Sequence, residues 1–318
     1  MNLADILTAR ERIAELVHRT PLFASRSISE RASATVRLKA ESLQRAGAFK
    51  IRGAMNKALS LTEEERSRGL VAFSSGNHAQ AVALAARILG TRATIVMPQD
   101  SMAHKVAATR SYGADVIQDG NVTVATRGTV ARKIADETGA TLVPPFDDPL
   151  VIAGQGTVGL EIVEDWPEVD TVVVPTGGGG LTAGVALAVT SMKAGVRVFG
   201  VEPEAGADGQ ASLRAGHICT IDPPRTIADG ARTIALGELP FAIIRERLED
   251  IVTVPDEALL EAVRLCALRA RLVVEPTGAL GVAALLMGRI SSPGNVAVIL
   301  SGGNVAPGVL CDALLERG

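Results

Sequence analysis

A regular alternation of short β-rich runs with longer alanine-rich stretches of helical spacing constrains the fold most. The β-rich runs are residues 70–74, 93–97, 141–143, 171–174, 196–201 and 296–300, and the helical stretches include residues 81–89, a basic stretch from residue 104, residues 156–166 and a stretch from residue 181. This order is typical of βαβ units, in which crossover helices connect parallel strands. The pattern predicts an α/β protein built on doubly wound parallel sheets.

Chain length bounds the number of domains. The chain has 318 residues, of which 47% are hydrophobic and only 3% aromatic. This length exceeds the size at which one compact core usually suffices. The composition is that of a soluble α/β protein. The sequence therefore predicts two domains, each with an open doubly wound parallel sheet.

Charge, cysteine spacing and hydropathy argue against several functional classes. The net charge of −3 argues against a nucleic-acid partner, because such partners select a basic surface. Cys219, Cys266 and Cys311 are far apart and odd in number, which argues against a disulfide framework or a zinc site. The sequence has no run of about 18 apolar residues and no basic segment before an apolar stretch at its start. We expect a cytoplasmic enzyme or binding protein that does not enter a membrane.

Lys50 is the strongest candidate for a reactive side chain. It lies in residues 49–54, Phe-Lys-Ile-Arg-Gly-Ala, where apolar and small residues flank the amine. Loss of hydration lowers the pKa of such an amine and favours the neutral form, which can attack a carbonyl and form an imine. A lysine that extends its charge to solvent along apolar surface fits the same segment. The segment alone leaves both interpretations open.

Residues 175–180, Pro-Thr-Gly-Gly-Gly-Gly, form the strongest predicted phosphate site. They follow a β-rich run and begin a helical stretch, so backbone amides and the positive end of the helix dipole can converge on an anion. A flexible turn is the alternative. A P-loop is excluded, because Leu181 and Thr182 stand where that motif requires Lys and then Ser or Thr.

A dinucleotide site is the alternative from another enzyme class. Gly178, Gly180 and Ala183 satisfy the pattern G-x-G-x-x-G/A, and Glu202 ends the next β-rich run. The pattern is permissive, and an oxidoreductase that transfers a hydride has no use for Lys50. The sequence keeps this alternative as the weaker one.

Two further segments place polar side chains directly after strands. Residues 74–78, Ser-Ser-Gly-Asn-His, begin a helix, where Ser74, Asn77 and the free amides of the first turn can hold a carboxylate. Ordinary helix capping explains the same residues. Ser75 offers a hydroxyl that can carry a proton. Ser301 follows the last strand, at the edge of the sheet where α/β proteins bind ligands.

Five segments together resemble the fold type II pyridoxal-phosphate enzymes, which share a tryptophan synthase β-like fold, and specifically the threonine dehydratase and serine racemase branch. They are residues 49–54, 74–78, 177–180, 275–279 (Glu-Pro-Thr-Gly-Ala) and 301–304 (Ser-Gly-Gly-Asn), in the family's order. The resemblance covers nearly the whole chain. It implies a large cofactor-binding domain of residues 1–45 and 141–318, a small domain of residues 46–140 with the serine-asparagine substrate loop, and a homodimer or higher homo-oligomer.

The resemblance also implies how pyridoxal 5'-phosphate is bound. Lys50 would form the imine with the cofactor, Phe49 would pack near the cofactor, Asn77 would bond its phenolic oxygen and Ser301 would meet its pyridine nitrogen. The phosphate would be surrounded by Gly177, Gly178, Gly179 and Gly180. A hydroxyl partner does not stabilise a protonated pyridinium, so the ring is a weaker electron sink. This favours elimination of a β-substituent over transamination.

The implied reaction is the dehydration of L-threonine, L-serine or both to a 2-oxo acid and ammonia. Lys50 would also be the base that removes the α-proton. Ser75 would face the cofactor from the other side and could return a proton, whereas many plain threonine dehydratases carry alanine there. Serine racemisation and dehydration of threo-3-hydroxyaspartate therefore stay open. A catalytically dead ligand-binding fold is the non-enzymatic alternative, and the intact Lys50 argues against it.

Substrate binding would fall to the 74–78 segment and to one arginine. Ser74, Ser75, Asn77 and His78 match the family's substrate loop, and Arg127 matches an arginine that approaches the substrate in racemase-like relatives. Histidines near helix starts often only pack or donate hydrogen bonds. Arg127 could equally be a solvated charge on a helix face.

The same resemblance suggests a cation site and leaves the substrate open. Glu202, Gly206 and Asp208 match the family's cation loop, whose oxygen ligands suit Mg²⁺ or a similar ion. An acidic surface loop is the alternative. The chain departs from the family pattern at Ala46 and Ala48, where Thr and Ser are usual. The loss of two hydroxyls puts the exact substrate in doubt.

Overall fold

The strands of the protein divide into two sheets. The computed structural model describes residues 1–120, 122–123 and 126–315. The strands are β1 (Leu22–Ala24), β2 (Thr35–Ala40), β3 (Leu70–Phe73), β4 (Ala93–Val96), β5 (Asp115–Ile117), β6 (Thr141–Leu142), β7 (Thr171–Pro175), β8 (Arg197–Pro203), β9 (Asp250–Val254) and β10 (Asn295–Leu300). One sheet has the order β1-β2-β10-β7-β8-β9 and the other β5-β4-β3-β6.

Neighbouring strands of both sheets are parallel, except that β1 pairs with β2 in the antiparallel sense at one edge. The strands of the larger sheet are buried on both faces. Val172 and Ile299 pack into one hydrophobic cluster, and Val173 and Val298 into the cluster on the other side. Parallel sheets need such cover because crossover helices lie on both faces. The predicted α/β fold with two doubly wound parallel sheets is confirmed.

The helices follow the predicted alternation. They are α1 (Leu3–Ile13), α2 (Arg26–Ala32), α3 (Lys50–Leu59), α4 (Glu63–Arg68), α5 (Asn77–Ile88), α6 (Ala103–Ser111), α7 (Arg127–Thr138), α8 (Pro149–Asp165), α9 (Gly180–Met192), α10 (Asp208–Ala215), α11 (Glu238–Arg247), α12 (Asp256–Leu265), α13 (Pro276–Leu286) and α14 (Pro307–Leu314). Short 3-10 turns cover Glu41–Leu43, Arg45–Gly47, Glu204–Gly206 and Asp229–Ala231, and a π-helical turn covers Cys266–Ala270. Within the described ranges, none of the helices has the length and apolarity needed to span a bilayer.

Helix α8 begins earlier than the sequence pattern predicts. The pattern placed its start near residue 156, but the helix starts at Pro149. The Asp148 carboxylate accepts hydrogen bonds from the amides of Leu150 (2.9 Å) and Val151 (3.0 Å), and proline suits the first helical position. The turn cluster around Asp148 is therefore the cap of this helix.

The smaller sheet has its own core. Leu70 and Ile95 pack with α3 and α5, and Val71 and Val96 pack with Ala131 of α7 on the other face. Strand β6 also belongs to this sheet, because it pairs with β3. The predicted boundary at residue 141 therefore lies a few residues too early, since it assigned this strand to the large domain.

Candidate active site

One cavity lies where the carboxyl ends of β3, β7 and β10 meet. It is lined by residues from both sheets, and the predicted site residues among them are Phe49, Lys50, Ser74, Ser75, Asn77, His78, Arg127, Gly177, Gly178, Gly179, Gly180 and Ser301. In doubly wound proteins this edge of the sheet is where ligands bind. Glu202, Gly206 and Asp208 do not line the cavity.

Lys50 opens α3 and directs its amine towards this cavity. Its Nζ donates a hydrogen bond to the Pro145 carbonyl at 2.7 Å and lies 5.0 Å from the centre of the Phe49 ring. Burial, and next the positive charge of Arg127, lower the pKa of Lys50 to about 8. A substantial fraction of the amine is therefore neutral near neutral pH, as nucleophilic attack requires. These contacts do not fit a lysine that extends to bulk solvent.

A buried ionic cluster holds α3 from behind. The Arg52 guanidinium makes paired contacts with the carboxylates of Glu41 (2.8 Å from both Nε and Nη2) and Glu161 (2.6 and 2.9 Å). Lys39 Nζ lies 2.6 Å from Glu161. The four charges balance, so each is paired inside the protein. The cluster ties the helix that carries Lys50 to β2 and α8.

The tetraglycine segment turns sharply between β7 and α9. Gly179 has φ +87°, and a Cβ atom there would lie 2.8 Å from the Pro240 Cβ. A Cβ atom on Gly178 would overlap the Phe146 ring. Glycine is required at both places, and α9, with 13 residues, points its N-terminal amides into the cavity. This arrangement suits a phosphate group.

Asn77 is held by two partners across the cleft. Its Nδ2 donates to Glu275 Oε1 at 2.5 Å, and its Oδ1 accepts from Asn304 Nδ2 at 3.0 Å. These bonds fix which end of the amide is the donor and leave one N–H of Nδ2 for another acceptor. Asn304 also donates to the Ala46 carbonyl at 2.8 Å, which joins the segment to the lysine loop.

Ser75 and Arg127 are in direct contact. Arg127 Nη1 donates a hydrogen bond to Ser75 Oγ at 2.8 Å. Ser74 caps its own turn, since its Oγ accepts from the Gly76 amide at 3.1 Å. Burial, and next the charge of Arg232, lower the pKa of Arg127. Arg127 is thus a cavity residue, so the alternative of a solvated helix-face charge is wrong.

His78 is buried, and its surroundings keep the ring neutral. Its Nε2 donates to the Val143 carbonyl at 2.9 Å, which assigns the proton to that nitrogen. Burial, and next the charge of Lys50, lower the pKa of His78 to about 3. The imidazolium form is therefore rare at neutral pH, and the ring acts by hydrogen bonding rather than as a cationic acid.

Ser301 follows β10 and reaches the cavity almost fully buried. Its carbonyl accepts a hydrogen bond from the Phe49 amide at 3.1 Å. The last strand is thereby fixed against the residue that precedes Lys50. No carboxylate was predicted at this position, and Ser301 presents a hydroxyl there.

Several cavity residues had no role in the sequence interpretation. Lys105 forms an ion pair with Asp229 and lies 3.9 Å from Glu275 Oε2. Burial raises the pKa of Glu275 to about 7, against the charge of Lys105. Arg232 also lines the cavity. The 275–279 segment signalled Glu275 in the sequence, but the contacts of the other three join distant parts of the chain.

Comparison with known proteins now places the chain. A model of the family described as "Pyridoxal-phosphate dependent enzyme" matches residues 13–302. The chain belongs to this family. The resemblance to pyridoxal-phosphate enzymes of fold type II is therefore confirmed, and relatives within the family differ in activity.

Three relatives illustrate the range of this pyridoxal-phosphate family. An L-threo-3-hydroxyaspartate ammonia-lyase of Saccharomyces cerevisiae is 51% identical over 302 residues, which cover 95% of this chain and 92% of the relative. The structure of maize serine racemase has a TM-score of 0.94 and 40% identity, and covers 99% of this chain and 97% of its own. The structure of a threonine deaminase from T.th. has a TM-score of 0.91 and 50% identity, with 96% and 99% covered.

The cavity of this family member fits pyridoxal phosphate. The glycine turn is a cradle that any Cβ atom would fill, the buried Lys50 amine faces the cavity, and Asn77 keeps an unused N–H. The dinucleotide alternative does not fit, because Glu202 is fully buried and accepts the amides of Gly209 and Gln210, each at 2.9 Å. A ribose hydroxyl cannot reach it.

The predicted cation loop lies beside α10 in this enzyme. Both oxygens of the buried Asp208 carboxylate lack a hydrogen-bond partner. Burial raises the pKa of Asp208 to about 7, and burial followed by the charge of Asp208 raises that of Glu202 to about 8. Two buried carboxylates side by side fit an oxygen-ligated cation. In the described part of the chain, no group of three or more His, Cys, Asp or Glu side chains is placed to hold a metal.

Proposed function

We propose that this protein is a pyridoxal-phosphate-dependent ammonia-lyase that removes the β-hydroxyl of a 3-hydroxy amino acid, L-threonine or L-serine, and releases a 2-oxo acid and ammonia. The observation that supports it most is the Lys50 amine, whose pKa is lowered to about 8 inside the cavity. Family membership supports the cofactor. A dehydratase is a lyase, and the names of the relatives include both lyases and a racemase.

In this proposal the protein residues bind, orient and move protons. When bound, the cofactor supplies an electron sink joined to the substrate Cα. The Gly177–Gly180 turn would hold its phosphate, Asn77 its phenolic oxygen and Ser301 its pyridine nitrogen. Lys50, neutral once displaced by the substrate amine, would accept the α-proton at Nζ. Ser74 and the first-turn amides of α5 would hold the α-carboxylate.

A second candidate is dehydration of L-threo-3-hydroxyaspartate. Arg127 and Arg232 both line the cavity, and among the described residues neither has a carboxylate within the 4 Å of an ion pair. By contrast, Lys105 is paired with Asp229. Unpaired cations favour a substrate with a second carboxylate. A third candidate, serine racemisation, is supported by Ser75, whose hydroxyl could return a proton to Cα.

One experiment separates these candidates. Purified holoenzyme is incubated with L-threonine, L-serine, D-serine and L-threo-3-hydroxyaspartate, and 2-oxo acid, ammonia and the enantiomer of the remaining substrate are measured together. We expect equal amounts of 2-oxo acid and ammonia from at least one L-substrate. Fast formation of D-serine with little pyruvate would instead make the protein a racemase.

We also propose that Glu202, Asp208 and the backbone at Gly206 bind Mg²⁺ or another cation that prefers oxygen ligands. The unpartnered oxygens of Asp208 support this site. A homodimer or higher oligomer in the cytoplasm remains a proposal from the family resemblance.

A further inference from the structure

Arg127 is the only described arginine that donates to a hydroxyl group in the cavity, and this contact links two candidate activities. Its Nη1 lies 2.8 Å from Ser75 Oγ, while the rest of its guanidinium has no carboxylate partner within 4 Å among the described residues. A guanidinium carries five N–H donors, so Arg127 has donors left for a ligand. The side chain can therefore act on Ser75 and on a substrate carboxylate.

The charge of Arg127 affects how readily Ser75 gives up its proton. A hydrogen bond from a cation to a hydroxyl oxygen stabilises the alkoxide over the hydroxyl form. In racemisation, Lys50 would take the proton from one side of Cα, and the Ser75 hydroxyl would give its proton to the other side. The Ser75 alkoxide then regains a proton from water and Lys50 loses one to water, so no electrons are gained or lost. Arg127 supports this step while its charge is not neutralised.

A second carboxylate on the substrate would change that balance. Arginine binds carboxylates through paired hydrogen bonds that are stronger than one bond to a neutral hydroxyl. Arg232 adds a second positive charge beside Arg127, as the lowered pKa of Arg127 indicates. A carboxylate held by these arginines neutralises the charge next to Ser75, which makes the Ser75 alkoxide less favourable. Elimination needs no proton from Ser75 and is unaffected by this loss.

We propose that Arg127 determines both substrate preference and reaction outcome: it binds the distal carboxylate of 3-hydroxyaspartate, and with substrates that lack this group it instead supports proton return by Ser75. The proposal rests on the proposed function. It assigns elimination without racemisation to 3-hydroxyaspartate, and elimination with some racemisation to L-serine.

The test uses holoenzyme of the wild type and of Arg127→Gln, with Arg132→Gln as the matched control. Arg132 lies on the same helix but is exposed and outside the cavity. Two ratios are measured: D-serine to pyruvate formed from L-serine, and kcat/KM for L-threo-3-hydroxyaspartate relative to L-serine. Since hydrogen bonds to charged groups contribute about 1.5–3 kcal/mol, Arg127→Gln should lower both ratios at least tenfold. Arg132→Gln should leave both unchanged.

A binding measurement removes dependence on turnover. Calorimetry compares succinate with butyrate, in which a methyl group replaces one carboxylate. The wild type should bind succinate at least about tenfold more tightly, Arg127→Gln should lose this preference, and Arg127→Lys, which keeps the charge, should retain part of it. Equal binding of both acids by the wild type, or a lysine variant no better than the glutamine variant, would contradict the proposal.

The outcomes separate this proposal from the proposed function. If the wild type releases 2-oxo acid but both ratios survive in Arg127→Gln, the role of Arg127 is wrong and the ammonia-lyase stands. If the wild type forms no D-serine, the link to Ser75 is wrong. If no 3-hydroxy amino acid yields a 2-oxo acid, the proposed function itself fails.

Discussion

At the residue scale, the chemistry depends on how the protein treats single polar groups. Lys50 shows how far the sequence could predict this. Its apolar neighbours predicted a lowered pKa, and the structure supports that direction. The sequence could not show that Pro145 supplies the carbonyl partner or that Arg127 adds to the effect, because both lie far away in the chain.

The pH dependence of cofactor attachment follows from this amine. Only neutral Lys50 attacks the cofactor aldehyde, so the attachment rate should rise about tenfold per pH unit below pH 8 and level off above it, given a pKa of about 8. The rate is measured as the growth of visible absorbance after pyridoxal phosphate is added to cofactor-free protein. N-acetyl-lysine is the control for titration of the cofactor itself. A midpoint close to 10.5, the ordinary lysine value, would show that Lys50 is not desolvated.

His78 and Arg127 show where single-residue patterns are insufficient. Each had a structural alternative in the sequence, and the two were decided differently. His78 is buried against the Val143 carbonyl, whereas Arg127 lies in the cavity and donates to Ser75. Helix position alone could not distinguish these cases, because both side chains lie in the first turn of a helix.

At the element scale, strand-to-turn-to-helix units form the site. The alternating pattern predicted the strands closely, because buried parallel strands have a short, β-branched composition. Helix starts were predicted less well. Helix α8 begins at Pro149 rather than near residue 156, since its cap at Asp148 depends on side-chain hydrogen bonds.

The glycine turn before α9 provides a test of the phosphate site. Gly179→Ala should weaken pyridoxal phosphate binding, because φ +87° is strained for alanine by roughly 1–2 kcal/mol and its Cβ would press on Pro240. Gly195→Ala is the matched control, with φ +80° but open space around it. It should lose similar stability without losing cofactor affinity.

Fluorescence or absorbance titration with pyridoxal phosphate measures both variants, and thermal unfolding of the cofactor-free forms measures their stability. Equal cofactor affinity in both variants would show that the turn before α9 does not hold the phosphate.

At the scale of the whole molecule, the two sheets meet at the cavity through charged contacts. Lys105 of α6 reaches Asp229 and Glu275, and Asn77 of α5 reaches Glu275 and Asn304. The sequence predicted that these segments belong to one site but not which of their atoms meet. Such long-range pairs depend on the packing of the two sheets, which local patterns do not encode.

The proposed cation should contribute to global stability. Without a cation, Glu202 and Asp208 are buried next to each other, and one or both must be protonated or repel the other. Chelator treatment should therefore lower the midpoint of thermal unfolding, and added Mg²⁺ should restore it. Glu202→Gln, with one charge removed, should respond less to both. Unchanged unfolding and activity after chelation would contradict a cation at this loop.

The central claim is that Lys50 makes this protein a pyridoxal-phosphate-dependent ammonia-lyase. The most direct measurement is the release of 2-oxo acid and ammonia from L-threonine, L-serine and L-threo-3-hydroxyaspartate by the wild type, Lys50→Ala and the control Lys133→Ala, whose side chain is exposed. We predict equal release of both products by the wild type and the control, and a loss of about a thousandfold or more in Lys50→Ala, because the cofactor bond and the base are both removed. Turnover by Lys50→Ala at the wild-type rate would contradict the account.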